Sequence, residues 1–158
     1  MIEEPITLAE LLTSQDGKLE LYQARRLVLD IEREMKYLKK KGLGLLVVDM
    51  HSVSWTPHLG FALTKDTVTA PIDDDELVVT HPLDREHPFL SPELHAIRTL
   101  PARVSHTASY YSVGKLILCC MTGQTNGGRI SELGHLSLAY FLRRCLQPDP
   151  SRRAYLYI

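Results

Sequence analysis

The chain has few cysteines and no long apolar run. It contains three cysteines, an odd number, without Cys-x-x-Cys spacing. This argues against a disulfide framework and against a cysteine-rich zinc site, so we expect small buried thiols in a reducing compartment. No apolar run approaches the roughly 20 residues of a membrane helix. The first five residues are acidic rather than apolar, so we predict no signal peptide and no membrane contact.

Neither sign of charge is in excess. The 18 Lys and Arg residues are balanced by 19 Asp and Glu residues, and the formal net charge is −1. A nucleic-acid-binding protein usually carries an excess of basic residues that neutralise phosphates, so we predict no nucleic-acid partner. The 158 residues, of which 44% are hydrophobic, suffice for one core. We therefore predict a single domain over residues 1–158.

Residue patterns typical of metal sites and of hydrolase active sites are also missing. The seven histidines offer no pair on one helix face, and no carboxylate or cysteine cluster complements them. The Gly-x-Ser-x-Gly turn of many hydrolases is absent, which argues against Ser-His-Asp catalysis. We predict no metal, no cofactor and no enzymatic activity. An enzyme that uses an unrelated site remains an alternative hypothesis.

Helical patterns dominate what is present. Apolar residues recur every three or four positions over residues 21–38, which predicts a long helix that ends at Gly42. Its other face is rich in Arg and Lys, and we interpret the lysines of its last turn as a solvated helix end. A nearly continuous apolar stretch at 109–121 predicts a buried central helix, and another helix is predicted at about 130–146.

The remaining segments indicate little β-structure. Residues 45–56 alternate in a way that predicts one small β-hairpin, which contains Trp55. From about 57 to 90 the periodicity is poor, and prolines and an acidic run interrupt it. We expect a long irregular loop there. The predicted fold class is mainly α, with one hairpin.

Four motifs follow one another in a recognisable order. Residues 58–62 (His-Leu-Gly-Phe-Ala) stand where a protein kinase has Asp-Phe-Gly-Leu-Ala, and 91–93 (Ser-Pro-Glu) stand for Ala-Pro-Glu. Residues 109–114 stand for Asp-x-Trp-Ser-x-Gly, and 145–153 for Cys-Leu-x-x-Asp-Pro-x-x-Arg. Together they make the chain resemble the C-terminal lobe (C-lobe) of a protein kinase.

The catalytic parts of a kinase do not accompany this resemblance. Phosphoryl transfer needs an N-lobe with a Gly-rich loop and a strand lysine, and we expect no N-lobe here. The link 42–44 leaves no room for a catalytic loop. His58 replaces the metal-binding aspartate and is a poor Mg²⁺ ligand, while Gly60 is kept. Ser109 replaces the aspartate at the start of the central helix, where we expect it to cap the helix.

A second alignment to the kinase pattern matches residues of this chain to the catalytic loop. It places Asp49 at the catalytic aspartate, with His51 and Ser54 at the lysine and asparagine positions. This alignment leaves too few residues before His58 for two strands. Even with it, the metal-binding aspartate is missing.

A kinase-like C-lobe that lacks these parts is similar to the KIND domain, the kinase non-catalytic C-lobe domain. The shared features are Thr7–Glu10, which fits a helix capping box, the short link 42–44, and the helix start at Ser91. KIND domains occur in Spir-type actin nucleators, a neuronal Ras exchange factor and FERM/PDZ-type tyrosine phosphatases. The resemblance implies a cytoplasmic or nuclear protein-binding module or scaffold, with a link to the cytoskeleton.

The resemblance also implies site residues. In the Spir type a basic peptide binds an acidic groove, and here Asp73, Asp74, Asp75 and Glu76 are candidates for that part. The kinase pattern implies a buried ion pair between Glu93 and Arg153, with Arg152 as the alternative partner.

Trp55 lies on the face that an N-lobe would cover. We expect residues 63–90 to mask this face, or a partner or a second copy to bury it. The alternative function is that of a C-lobe fragment of a degenerate pseudokinase, with residual nucleotide binding or an allosteric role.

Overall fold

The computed structural model describes residues 4–124 and 128–158, which form helices and two antiparallel sheets. The helices are α1 (Leu8–Thr13), α2 (Leu21–Lys40), α3 (Pro92–His95), α4 (Ala108–Thr122) and α5 (Leu136–Cys145). The strands are β1 (Ile6–Thr7), β2 (Leu43–Val47), β3 (Val53–Thr56), β4 (Gly60–Leu63), β5 (Val68–Asp73), β6 (Glu76–Val79) and β7 (Ala102–Ser105). Single 3-10 turns cover Ile130–Glu132 and Pro150–Arg152.

The helices largely follow the sequence pattern. The capping box predicted at the start of α1 is confirmed: Thr7 Oγ1 accepts the Glu10 N–H at 3.1 Å, and the Glu10 side chain accepts the Thr7 N–H at 3.3 Å. The predicted helix at 130–146 is shorter than expected. A 3-10 turn comes first and α5 begins only at Leu136, after Gly134. Glycine disfavours helix by about 1 kcal/mol relative to alanine, which accounts for the break.

The predicted fold class is wrong. Helices make up 40% of the described residues and strands 19%, in one sheet of three strands and one of four. The chain is therefore neither mainly helical nor a kinase-like lobe with one hairpin. The predicted hairpin over 45–56 does not form, because its two halves belong to different sheets. β2 pairs with β5, and β3 pairs with β1 and β4.

The segment expected to be an irregular loop contains three strands. Pro71 obscures the strand pattern of β5, and the β5–β6 ladder ends next to it, at the Ile72–Leu77 pair. A proline has no N–H for a ladder, so pairing stops where its donor would be needed. Asp74 and Asp75 adopt positive φ angles of 52° and 61° and turn the chain from β5 into β6. Such two-residue turns suit the twist of a hairpin.

The core lies between the long helices and the four-stranded sheet. β2 packs against both α2 and α4, and α4 also packs against α5. As predicted, α4 is the buried central helix: ten of its fifteen residues are buried. Among the described residues, no helix combines the length and apolarity that crossing a membrane requires.

Candidate functional site

Trp55 lines a groove of about 450 Å³ between the start of α2 and the β3–β4 hairpin. We call it the Trp55 groove, and its walls are Tyr22, Gln23, Arg26, Trp55, Pro57, Gly60 and Phe61. Two large apolar side chains are exposed at its rim: Tyr22 is 70% exposed, and Leu59 in the hairpin turn is 78% exposed. Trp, Tyr and Arg dominate the binding energy of protein interfaces, because they bury a large area and retain a polar group.

A buried carboxylate holds this groove together. The Asp30 side chain is 2% exposed, and its Oδ2 accepts the backbone N–H of Phe61 at 2.9 Å. Arg26 Nε donates to the same oxygen at 2.8 Å, and Arg33 Nη2 donates to Oδ1 at 2.7 Å. A buried charge is tolerated only with such partners. Asp30 therefore ties β4 to α2 and fixes both arginines.

Gly60 allows this close approach. Its φ is +79°, and a Cβ at this position would lie 2.4 Å from Asp30 Oδ2. Only glycine meets both conditions without strain. These two conditions explain why a glycine stands at position 60, without any reference to the kinase motif. His58 lies in the exposed turn between β3 and β4, not after a completed hairpin as the sequence analysis had placed it.

Positive charge accompanies the apolar side chains of the rim, on the part of α2 next to the Trp55 groove. Arg26 and Arg33 are 50% and 66% exposed, and both contact Asp30. One carboxylate cannot neutralise two guanidinium groups, so a net positive charge faces solvent. Arg26 Nη2 also donates to the Leu59 carbonyl at 3.3 Å, which joins the charged part of α2 to the apolar turn.

The acidic run lies elsewhere, at the β5–β6 turn. Arg103 on β7 donates to Asp73 Oδ2 and to Glu76 Oε1, both at 3.1 Å. These hydrogen bonds, to Glu76 first and then to Asp73, raise the pKa of Arg103. Asp74 and Asp75 occupy the exposed turn itself. Two of the four predicted partner-binding carboxylates are therefore paired within the protein, and the run does not line the Trp55 groove.

The ion pair inferred from the kinase pattern is present. Arg153 Nη1 and Nη2 donate to the two carboxylate oxygens of Glu93 at 2.5 and 3.0 Å. Arg152, the alternative partner, is exposed. The expected role of Ser109 as a helix cap is wrong, because Thr107 is the N-cap of α4 and Ser109 Oγ donates to the His106 carbonyl at 2.7 Å.

Asp49, the catalytic aspartate of the second alignment, closes a turn. Its Oδ1 accepts the backbone N–H groups of His51 at 2.7 Å and Ser52 at 3.0 Å. Its Oδ2 lies 3.6 Å from His87 Nε2. The three residues between Asp49 and β3 complete this turn, so the carboxylate has a structural task. Ser54 lies on β3, where its hydroxyl is within 3.4 Å of the Ala62 carbonyl.

None of the three cysteines forms a disulfide and all three are buried, as predicted. Burial raises the pKa of Cys145 to about 12, and burial also raises that of Cys120. A protonated thiol is a poor nucleophile and a poor metal ligand, so these groups are core residues. Within residues 4–124 and 128–158, no three side chains of His, Cys, Asp or Glu are placed to hold a metal ion.

Asp30, whose carboxylate shapes the groove, is not among the residues predicted from the sequence. A charged residue on an amphipathic helix is expected to face solvent, but the structure buries Asp30. A signal was available, since Asp30 follows Leu27 by three residues and so borders the apolar face. Ser112 was also missed: its Oγ accepts the Val48 N–H at 2.9 Å and holds the end of β2 on α4.

Comparison with known proteins gives no family to which the chain can be assigned. No model of a known protein family matches it, and neither does any curated protein sequence.

Proposed function

We propose that this chain is a non-catalytic protein-binding domain that docks a partner protein in the Trp55 groove. One observation carries the proposal: Trp55, Tyr22 and Arg26 surround one open concave site whose shape depends on a buried carboxylate. A prearranged site loses less conformational entropy on binding, and aromatic and Arg side chains supply most of the energy in such interfaces.

The ionisable groups already described have structural tasks, which favours binding over catalysis. Asp30 fixes a hairpin, Asp49 closes a turn, and Glu93 pairs with Arg153. A catalytic base needs a site where it can reach a substrate proton. We therefore retain the non-enzymatic assignment as part of the proposal, with a reducing cytoplasmic or nuclear compartment suited to three cysteines that form no disulfide.

The relation to KIND domains is also part of the proposal. It is supported by the Glu93–Arg153 pair, by the capping box of α1 and by the buried position of α4. The two sheets set this chain apart from the helical lobe that we expected. A basic peptide bound at Asp74 and Asp75 remains a second docking hypothesis, since these two carboxylates are exposed.

Site-specific photo-crosslinking tests the groove. A benzophenone amino acid placed at Leu59 is expected to capture a discrete partner protein in cells that express the chain. The same group at Thr99, an exposed position distant in the chain, is the control. Tyr22→Asp should abolish capture from position 59, because it introduces a charge among the apolar side chains of the rim. The same adducts from positions 59 and 99, or capture that survives Tyr22→Asp, would contradict the proposal.

A thermal-shift measurement separates this function from residual nucleotide binding. We expect ATP, with or without Mg²⁺, to leave the melting temperature unchanged. A ligand at 100 times its Kd stabilises the native state by about 2.7 kcal/mol, which such a measurement detects easily. Stabilisation by ATP would favour the pseudokinase alternative.

A further inference from the structure

The outward face of α2 carries an unusual stripe. At 3.6 residues per turn, eight residues fall within an arc of about 120°, and each of them is exposed. We call this surface the α2 stripe; it consists of Tyr22, Arg25, Arg26, Leu29, Arg33, Lys36, Tyr37 and Lys40. It holds five cations and three large apolar side chains, but no acid.

The charge on α2 is out of proportion to that of the whole chain. Residues 21–41 contain seven Lys or Arg and three Asp or Glu, a difference of +4, whereas the chain has a formal net charge of −1. Two of the three acids are paired on the helix itself: the buried Asp30 with Arg26 and Arg33, and Glu32 with Lys36 at 2.9 Å. The surface of this helix is thus strongly positive, which attracts a partner of opposite charge.

The apolar members of the α2 stripe have a regular spacing. Tyr22, Leu29 and Tyr37 are seven and eight residues apart, and they are 70%, 57% and 53% exposed. Spacing of this kind places one apolar side chain at every second turn, as in the contact line of two packed helices. The core-facing side of α2 is already occupied by other residues, such as Leu27 and Ile31. The three exposed apolar side chains are therefore additional to what the core of the fold requires.

Two of the cations are held in place before any partner arrives. Arg26 donates to both carboxylate oxygens of Asp30, and Arg33 donates to one of them. Both arginine side chains nevertheless remain at least half exposed. A guanidinium oriented in this way loses little freedom when it meets a carboxylate. Tyr22 and Arg26 also line the Trp55 groove, so the α2 stripe and the groove form one continuous surface.

We propose that the α2 stripe binds an acidic amphipathic helix of the partner protein, laid along α2 with one end in the Trp55 groove. This inference rests on the proposed function and specifies the chemistry of the partner. From Tyr22 to Lys40 the contact extends about 27 Å, or five helical turns. Apolar residues of the partner pack against Tyr22, Leu29 and Tyr37, and its carboxylates pair with the flanking cations.

The pattern favours a helix over the other anionic ligands. A nucleic acid would use the cations but would leave Leu29, at the centre of the α2 stripe, against a charged backbone. A membrane-surface helix needs a broad apolar face for the lipid, whereas here the exposed apolar residues are single and separated by arginines and lysines.

Selection from a display library of random 20-residue peptides tests the proposal on the intact chain. We expect the enriched peptides to be acidic and to have apolar residues three or four positions apart. The double variant Leu29→Asp/Lys40→Glu should weaken their binding at least roughly tenfold, because it removes a central contact and reverses a charge. Leu136→Asp and Lys65→Glu alter an exposed leucine and an exposed lysine outside the α2 stripe and should leave binding unchanged.

Each other outcome is informative. Enriched peptides without acidic excess, or equal binding to the double variant, would overturn the inference. So would tighter binding of phosphatidylserine vesicles or of a 20-base-pair RNA duplex than of the selected peptides. Urea unfolding of each variant shows that it is folded. If crosslinking from position 59 survives in the double variant, this inference fails and the proposed function stands; if crosslinking fails in the unaltered chain, the proposed function itself fails.

Discussion

Arg153 and Glu93, 60 residues apart in the chain, form a bidentate ion pair at which three parts of the fold meet. The Arg153 side chain is 0% exposed, and its nitrogens also donate to the carbonyls of Gln147, Pro148 and Thr107. Its guanidinium lies 5.0 Å from the ring centre of Tyr111. The pair joins α3 to the start of α4 and to the segment after α5.

Removal of Glu93 should be strongly destabilising. Glu93→Ala leaves the guanidinium of Arg153 buried without its counter-charge, which typically costs roughly 3–5 kcal/mol of the free energy of unfolding. Urea denaturation measures the loss. Arg152→Ala, an exposed neighbour, is the control and should change the free energy by less than about 0.5 kcal/mol. Similar losses in both variants would show that the ion pair is not the cause.

Asp30 offers a second test, with a built-in reporter. Asp30→Ala leaves Arg26, Arg33 and the Phe61 N–H without their shared acceptor, at a cost of roughly 3 kcal/mol or more. Because Trp55 is the only tryptophan, its fluorescence reports on the hairpin. We expect a red-shifted emission at urea concentrations below global unfolding. Asp66→Ala changes an exposed carboxylate and should preserve the emission; an unshifted Asp30→Ala spectrum would argue against the tie between β4 and α2.

Alkaline pH should destabilise the fold partly through Cys145. Burial raises its pKa to about 12 in the folded chain, whereas the ordinary value is 9.0. The raised pKa contributes stability that is fully present below pH 9 and is lost as the pH rises toward 12, because the unfolded thiol ionises first. Cys145→Ala should therefore flatten the decline of the free energy of unfolding between pH 9 and 12. Parallel declines for variant and parent would contradict this assignment.

Removing Arg103 tests whether the acidic turn between β5 and β6 can bind a basic peptide. Arg103→Ala frees the carboxylates of Asp73 and Glu76, so a nona-arginine peptide should bind more tightly at low salt. Asp74→Asn with Asp75→Asn should weaken this binding, since asparagine tolerates the positive φ of the turn while the charge is removed. If neither change affects the affinity, the turn does not bind basic peptides and its role is purely structural.

Local signals in the sequence predicted some features correctly. The cap at Thr7 and the apolar period of residues 21–38 specify α1 and α2, because these signals act within a few residues. The apolar stretch at 109–121 likewise marked the buried helix α4. The ion pair between Glu93 and Arg153, 60 residues apart, was also predicted, but only through the resemblance to kinases.

Strand pairing and the burial of Asp30 were decided by the tertiary structure alone. β2 and β3 follow each other in the sequence, yet β2 pairs with β5 and β3 pairs with β1 and β4, because a strand is stabilised by hydrogen bonds to whichever edge the rest of the fold presents. Asp30 is polar in sequence and buried in the structure, since Phe61, Arg26 and Arg33 supply donors that one helix alone cannot bring together. The groove around Trp55 likewise exists only because α2 and the β3–β4 hairpin meet at that carboxylate.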